Sequence, residues 1–159
     1  LEKSSYYDKS FLNIRPSYVY GQGQRPNSLI NHLFECSSAK TLPTLGPCNY
    51  YRDYIYVKDL TEGISRLLSI HGSGVVNLGS GSCVFVKDFV EQFWSLLGED
   101  IQDLSFGEKD MMKDEPDQNK SFMNIKKLRE LTHWEPSYSL NEGIMDTILD
   151  RNQNNNKLI

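Results

Sequence analysis

Arg52 and Asp53 are the residues of this sequence whose chemistry most needs an explanation. They open the segment 52–60 (RDYIYVKDL), in which aromatic and aliphatic residues alternate before a helical pattern begins. An arginine among apolar neighbours in an acidic protein needs an anionic partner. Asp53 could be that partner in a structural ion pair, or the planar guanidinium could bind a ligand phosphate through two parallel hydrogen bonds. The residue types leave both interpretations open.

Two glycine pairs, Gly21 with Gly23 and Gly79 with Gly81, could in principle let a backbone approach a phosphate. Neither pair has the G-x-G-x-x-G spacing that marks a dinucleotide-binding turn between a strand and a helix. We therefore interpret the second pair, in the segment 79–82 (GSGS), as a plain turn.

The histidines and cysteines give no catalytic or metal-binding arrangement. No serine, cysteine or acid lies at a catalytic spacing from a histidine, so the histidines are interpreted as structural or solvated. The cysteines are far apart and odd in number, with neither metal-ligand spacing nor a disulfide framework, which favours a reducing cytosol. These residues are His32, His71, His133, Cys36, Cys48 and Cys83.

The composition indicates a globular protein. The chain has 159 residues, 38% of them hydrophobic and 24% charged, which is enough for one domain with a core. The net charge of −4 leaves no basic excess to neutralise the phosphates of a nucleic acid. No apolar run approaches the roughly 18 residues that cross a bilayer, and the first residues lack a signal-peptide pattern. We expect a cytoplasmic protein that binds neither nucleic acid nor membrane.

The elements that would position these groups alternate between strands and helices. Strand patterns occupy residues 11–15, 54–57, 75–78 and 104–106. Helical patterns begin near residues 27, 57, 86, 124 and 139. The second strand passes directly into a helix. This alternation predicts an α/β layout with parallel strands.

The two ends of the chain carry their own predictions. Ser139 and Glu142 form a capping box that should begin a last helix, which we expect to end near residue 149. The polar segment 152–159 is expected to be a disordered tail. Because the chain opens without methionine and has few strands for a doubly wound sheet, we expect residues 1–159 to be a single fragment whose upstream part is missing. Apolar residues should then be exposed, namely Phe11, Ile14, Val75 and Val76.

Five segments in a fixed order resemble the C-terminal half of the NAD-dependent epimerase/dehydratase family, the extended short-chain dehydrogenases that act on nucleotide sugars. They are NIRPSYVYGQGQR, LPTLG, RDYIYVKDL, VVNLGSGSCVFVKDFVEQFWSLLG and WEPSYSLNEGI. No single segment is unique to the family, but their order over residues 2–148 is specific. The resemblance implies an α/β fold: the last part of a Rossmann-type parallel sheet, interleaved with the small C-terminal substrate-binding domain.

The resemblance also implies which parts of the enzyme lie elsewhere. The family's glycine fingerprint, and its tyrosine and lysine four residues apart on a central helix, would precede Leu1, with Glu2 matching a glutamate shortly after that lysine. No catalytic residue and no metal ligand is therefore assigned within this chain. The implied cofactor is NAD or NADP, bound mainly by the missing N-terminal part. The implied substrate is a nucleotide-diphosphate sugar, and the full-length enzyme would be a homodimer.

Residue by residue, the resemblance places a binding site along the chain. Arg52 matches the arginine that binds the diphosphate of the nucleotide sugar, and Lys113 lies near a second basic residue with the same role. Pro43 and Leu45 match the positions that flank the nucleobase. Residues 24–29 match the loop and the helix start that cover the nucleotide. The substrate positions are Tyr18, Gln24, Ser28, Leu29, Pro43, Leu45, Arg52 and Lys113, and the cofactor positions are Pro16, Tyr18 and Val19.

Four positions depart from the family pattern. Tyr18 stands where many members have an asparagine, and Lys113 replaces an arginine and so lacks the planar fork. Phe85 replaces a serine that often caps the following helix, and Asn124 replaces a common aspartate. The pattern selects neither the sugar nor the base nor the reaction.

Two functional hypotheses follow. The first is the substrate-binding part of an NAD(P)-dependent nucleotide-sugar epimerase, dehydratase or 4-reductase, inactive as this chain alone. The alternative is a non-catalytic or split remnant of the same family that acts as a binding or interaction module.

Overall fold

Short strands alternate with helices in the computed structural model, which describes residues 11–70, 72–109 and 122–156. The described strands are β1 (Leu12–Pro16), β2 (Tyr18–Tyr20), β3 (Tyr51–Arg52), β4 (Tyr54–Tyr56), β5 (Gly74–Leu78) and β6 (Val84–Phe85). The described α-helices are α1 (Leu29–Ala39), α2 (Val57–Leu68), α3 (Val86–Leu96), α4 (Lys126–Thr132) and α5 (Leu140–Asn156). This is the predicted α/β layout.

Two parallel strand pairs confirm the predicted strand direction. β1 pairs with β5, with Ile14 opposite Val76, and β2 pairs with β4, with Val19 opposite Ile55. The chain passes from one pair to the other at Ser17, whose N–H donates to the Leu78 carbonyl at 3.0 Å. Residues 16–18 therefore lie where the two pairs meet.

A third, antiparallel pair joins β3 to β6, with Arg52 opposite Val84. No strand pattern in the sequence indicated it, because each strand has two residues. The pair fixes the backbone of Arg52 beside the start of α3. After Asp53 the chain forms β4, which leads directly into α2, as the sequence predicted.

Two apolar clusters form the core. The first lies between α1, α3 and α5 and is largely aromatic, and the second lies between the β1–β5 pair, α2 and α4. Burial of this apolar surface is the main stabilising term for both clusters. The fully buried side chains of the first include Leu33, Phe89, Phe93 and Ile144, and those of the second include Leu67, Val76, Leu78 and Leu128.

The helix starts follow local capping signals. Ser28 accepts the N–H of Asn31 at 3.2 Å, so α1 begins at Leu29 rather than at Asn27, whose φ is 63°. Ser139 and Glu142 form the predicted capping box: the Ser139 N–H donates to Glu142 Oε2 at 2.8 Å, and the Glu142 N–H donates to Ser139 Oγ at 3.3 Å.

The last helix is longer than the sequence predicted. α5 extends to Asn156, so residues 152–156 are helical where a disordered tail was expected, while residues 157–159 lie outside the described residues. Arg151 explains the extension, because its Nη1 donates to Asn31 Oδ1 at 2.9 Å and its guanidinium carbon lies 5.0 Å from the centre of the Phe34 ring. These contacts hold the end of α5 against α1, and adding residues to a formed helix costs little.

The strand predicted at residues 104–106 is wrong. A short 3-10 helix, Ile101–Asp103, precedes this segment, and Phe106 makes one isolated parallel bridge with Leu45. The alternation of apolar and polar residues reflects the packing of Leu104 and Phe106 against the first cluster rather than a strand ladder. Among the described helices, none has the length and apolar character needed to cross a membrane.

Candidate functional site

Arg52 is buried at the end of β3 and lines a cleft of about 610 Å³. Its exposed fraction is 7%. Its guanidinium carbon lies 4.7 Å from the centre of the Tyr18 ring and 4.2 Å from that of Tyr50. Its Nη1 donates to the Tyr51 carbonyl at 3.0 Å. Among the described residues this is the one hydrogen bond given for the guanidinium, and a buried guanidinium with further N–H groups to donate is a strong binder of planar, doubly accepting anions.

Asp53 does not pair with Arg52. Its Oδ1 accepts the N–H of Ser80 at 2.7 Å and the hydroxyl of Ser80 at 2.8 Å, and its Oδ2 accepts the N–H groups of Gly81 at 3.1 Å and Met123 at 2.9 Å. Within the described part of the chain, Arg52 has no carboxylate at salt-bridge distance. Of the two interpretations that the sequence left open, the structural ion pair is therefore excluded for these residues.

The Asp53 carboxylate accepts the hydrogen bonds that the glycine loop after β5 could otherwise donate to a ligand. Two successive N–H groups, of Ser80 and Gly81, point at Asp53, an arrangement that elsewhere binds phosphate oxygens. A side chain at Gly79 would bring a Cβ within 2.8 Å of Asp53 Oδ2. The loop thus acts as the structural turn that the sequence predicted, because its anion is supplied from within the protein.

Three cavities adjoin one another around Arg52. The central cleft shares Tyr18 and Arg52 with an inner pocket of about 320 Å³, and it shares Ser28, Leu29 and Tyr50 with an outer pocket of about 290 Å³. The inner pocket is lined by Pro16, Ser17, Tyr18, Arg52, Asp53, Phe122 and Met123. Arg52 therefore lies between the central cleft and the inner pocket, and the outer pocket adjoins the other side of the central cleft.

Most of the site residues predicted from the sequence line these cavities. Pro43 is buried and lines none of the three, and Lys113 lies outside the described residues. The central cleft contains Tyr18, Val19, Gln24, Ser28, Leu29 and Arg52, the inner pocket contains Pro16, and the outer pocket contains Leu45.

The wall of the cleft formed by Gln24, Arg25 and Asn27 is held by side-chain hydrogen bonds. Gln24 Nε2 donates to the Val19 carbonyl at 3.1 Å. Asn31 Nδ2 donates to the carbonyls of Gln24 at 3.1 Å and Arg25 at 2.8 Å. The oxygen of the same amide accepts from Arg151, so the last helix supports this wall.

Sequence reasoning missed three aromatic residues of the cleft. Tyr50, Tyr54 and Phe89 line it, and the rings of Tyr54 and Phe89 are stacked with their centres 4.1 Å apart. Phe89 was assigned only to the apolar face of a helix. The aromatic run at residues 50–51, directly before Arg52, was the signal that could have identified Tyr50.

Two tyrosines of the cleft, the half-buried Tyr54 and the buried Tyr20, are neutral at pH 7. Burial raises the pKa of the Tyr54 hydroxyl far above its ordinary value, and it does the same for Tyr20. Both phenols stay protonated at neutral pH. They can exchange hydrogen bonds with a ligand, but neither can serve as a base there.

A tyrosine and a lysine four residues apart do occur, as Tyr54 and Lys58, but they are not placed on one helix. Tyr54 belongs to β4, whereas Lys58 lies in the first turn of α2. The Lys58 ammonium binds Asp146 Oδ2, which also accepts the hydroxyl of Tyr56 at 2.9 Å. This spacing therefore does not reproduce the helical pair implied by the family resemblance.

Comparison with known proteins gives one family. The family model described as GDP-mannose 4,6 dehydratase matches residues 19–147. The UDP-glucuronate 4-epimerase of Thermodesulfobacterium geofontis is 26% identical over 139 residues, which are 85% of this chain and 41% of that protein. The UDP-glucuronic acid decarboxylase 1 of Xenopus tropicalis is 29% identical over 120 residues, which are 74% of this chain and 27% of that protein.

Solved structures agree with the fold. The dTDP-glucose 4,6-dehydratase of Bacillus anthracis, in complex with NAD, has a TM-score of 0.78 and 25% identity over 91% of this chain and 45% of its own. A dTDP-glucose 4,6-dehydratase from Streptomyces venezuelae has a TM-score of 0.80 at 19% identity. The chain spans less than half the length of these relatives and corresponds to their C-terminal part.

Proposed function

Because this chain belongs to the NAD-dependent epimerase/dehydratase family, we propose that it forms the nucleotide-sugar-binding part of an NAD(P)-dependent epimerase, dehydratase or 4-reductase. The observation that carries the proposal is Arg52. Arg52 is buried, lines two neighbouring cavities, and has no carboxylate partner among the described residues. A buried cation needs an anion, and the diphosphate of a nucleotide sugar supplies one.

The row of cavities matches the parts of such a ligand. The diphosphate would bind Arg52 in the central cleft through paired hydrogen bonds. The nucleoside would occupy the outer pocket beside Leu45, under the start of α1 at Ser28 and Leu29. The sugar would then extend past Tyr18 into the inner pocket.

The inner pocket also suits the nicotinamide end of a cofactor. Ser17 Oγ lies there, buried and without a hydrogen-bond partner in the described part of the chain, and a carboxamide could satisfy it. Pro16 and Tyr18 line this pocket and would border that group, whereas Val19 lies next to it in the central cleft. When bound, NAD or NADP would supply the hydride chemistry, and the residues of this chain would bind and orient the sugar beside it.

The chain offers no base for this reaction from Tyr20 and Tyr54 of its cleft, since both remain protonated at neutral pH. Under the proposal, protein outside these 159 residues supplies the catalytic tyrosine and lysine. The task of this chain is then recognition of the nucleotide sugar and exclusion of water around it.

Substitution of Arg52 tests the proposal. Arg52→Ala should weaken binding of the best ligand among UDP-glucose, dTDP-glucose and GDP-mannose by about 30- to 1000-fold. This corresponds to about 2–4 kcal/mol for a buried, charge-assisted contact. Arg52→Lys should restore only part of the affinity, because an ammonium cannot form the paired hydrogen bonds. Isothermal titration calorimetry measures both effects.

Arg66→Ala is the matched control, because Arg66 is an exposed arginine of α2 that pairs with Glu62. It should leave ligand affinity unchanged. If Arg52→Ala also leaves the affinity unchanged, the diphosphate role is wrong. A second assay measures turnover of the bound nucleotide sugar by a protein that contains this chain and a tyrosine–lysine pair. Binding without turnover would favour the alternative, a non-catalytic binding module.

A further inference from the structure

The guanidinium of Arg52 is held by two aromatic rings as well as by its backbone contact. Tyr18 and Tyr50, here called the aromatic clamp, approach it to 4.7 and 4.2 Å, measured from the guanidinium carbon to each ring centre. Both lie within the range in which a cation is attracted to the negative face of an aromatic ring. Neither ring supplies a nitrogen or oxygen acceptor to the guanidinium, and the one hydrogen bond given for it among the described residues goes to the Tyr51 carbonyl, so further N–H groups can donate to a ligand.

The clamp is itself supported by other rings. Tyr18 is 54% exposed, and its ring meets Tyr54 edge to face with 6.3 Å between centres. Tyr54 is stacked on Phe89, which is fully buried in the first core cluster. The position of the Tyr18 ring is therefore tied to the core, although the ring itself borders open space.

The two clamp residues lie at different boundaries of the cavities. Tyr18 borders the central cleft and the inner pocket, and Tyr50 borders the central cleft and the outer pocket. A flexible arginine side chain loses conformational entropy when it binds an anion, and a side chain already held by rings loses less. The clamp thus prepares the guanidinium for a ligand that reaches it through the central cleft.

We propose that Tyr18 and Tyr50 are positioning residues that hold the Arg52 guanidinium for a nucleoside diphosphate. This inference rests on the proposed function. It deepens that function by making diphosphate affinity depend on the two aromatic rings as well as on the arginine. The phenol oxygens are not required for this role, so phenylalanine should replace either tyrosine.

The test compares Tyr50→Leu with Tyr50→Phe. Calorimetry with UDP, GDP and dTDP selects the tightest ligand of the unaltered protein. Tyr50→Leu should weaken its binding by about 2- to 30-fold, the range expected from one cation–π contact. Tyr50→Phe should change it by less than about twofold. Tyr18→Leu and Tyr18→Phe form a second matched pair at a position whose side chain is 54% exposed.

A double-mutant cycle with Arg52→Ala separates positioning from direct ligand contact. If the clamp acts through Arg52, Tyr50→Leu should have no further effect on diphosphate affinity once Arg52 is alanine. Affinity for the corresponding nucleoside, which lacks phosphate, should not change in either clamp variant. Additive losses in the cycle, or equal losses for nucleoside and nucleoside diphosphate, would overturn the clamp in favour of direct contact.

The outcomes distinguish this inference from the proposed function. If the unaltered protein binds none of the three nucleoside diphosphates, the proposed function and the clamp are both wrong. If it binds one, and Arg52→Ala weakens binding while both leucine variants do not, the clamp alone is wrong. Thermal unfolding of each variant confirms that the affinities refer to folded protein.

Discussion

Arg52 and Asp53 are adjacent and oppositely charged, and their side chains lie in different surroundings. Successive side chains of extended backbone point to opposite sides, so Arg52 borders the cleft while Asp53 points to the glycine loop. Asp53 binds donors from Ser80, Gly81 and Met123, and thereby fixes the backbone that carries Arg52. Under the proposed function Arg52 binds the ligand, whereas Asp53 anchors the local backbone.

Loss of the Asp53 carboxylate should therefore reduce stability. Asp53→Ala leaves partly buried N–H groups of Ser80, Gly81 and Met123 without their acceptor, and it should lower the free energy of unfolding by about 2–4 kcal/mol. Urea unfolding measures the change. Asp103→Ala, at an exposed position of the 3-10 helix, is the control and should have little effect. Equal effects of the two substitutions would contradict the anchoring role of Asp53.

At this scale the sequence could indicate Arg52 but not the partners of Asp53. The donors to its carboxylate lie 27, 28 and 70 residues further along the chain. No local pattern connects positions so distant, and strand composition says nothing about which carboxylate faces which loop. Tyr50 was missed for a related reason, since a ring beside an arginine becomes a contact only when the fold sets their distance.

Helices α2 and α5 are joined by a small polar cluster. Asp146 of α5 binds the Lys58 ammonium and accepts the Tyr56 hydroxyl at 2.9 Å. The hydrogen bond from Lys58, followed by the one from Tyr56, lowers the pKa of Asp146. The folded state therefore favours the ionised carboxylate more than the unfolded chain does.

The sign of the pH dependence follows from this shift. The stabilisation by Asp146 is fully present above the carboxyl pKa of the unfolded chain, about 3.9. It is lost as the pH falls through the lower pKa of the folded state. Asp146→Asn should thus destabilise the protein at pH 7, and its difference from the unaltered protein should shrink below about pH 4. Urea unfolding at pH 7, 5 and 3 checks this, and a difference independent of pH would argue against it.

Element starts were predicted better than element ends. Capping residues act within one helical turn, so the pair Ser139 and Glu142 was identified from sequence alone, whereas Ser28 was not recognised as the cap of α1, which was expected to begin near residue 27. The end of α5 could not, because it depends on the contact between Arg151 and Asn31, which are 120 residues apart. The two-residue strands β3 and β6 are too short for any periodic pattern.

For the whole molecule, the predicted exposure of apolar residues was only partly correct. Phe11 and Val75 are 64% and 42% exposed, as expected, whereas Val76 is 1% exposed and Ile14 is half-buried. Alternate residues of β5 face opposite sides, and the side with Val76 packs in the second core cluster. We expected both faces of β5 to be exposed, but α2 and α4 cover one of them.

We expect these 159 residues by themselves to bind NAD(H) and NADP(H) only weakly. The sequence has no G-x-G-x-x-G segment, and Asp53 occupies the glycine loop that follows β5. Calorimetry of the chain alone with NAD(H) and NADP(H) should give dissociation constants weaker than micromolar, whereas a nucleoside diphosphate should still bind through Arg52. Micromolar binding of either dinucleotide would mean that the cofactor site has been assigned to the wrong part of the protein.

The contact between Arg151 and Asn31 links helix α5 to one wall of the central cleft. Asn31 bonds at once to Arg151 and to the loop carbonyls of Gln24 and Arg25. Any tag, fusion or proteolytic cut that disturbs α5 near residue 151 would reach the cleft through these bonds. An affinity tag attached at this end could therefore alter ligand kinetics without touching a ligand contact, and a tag placed elsewhere avoids the artefact.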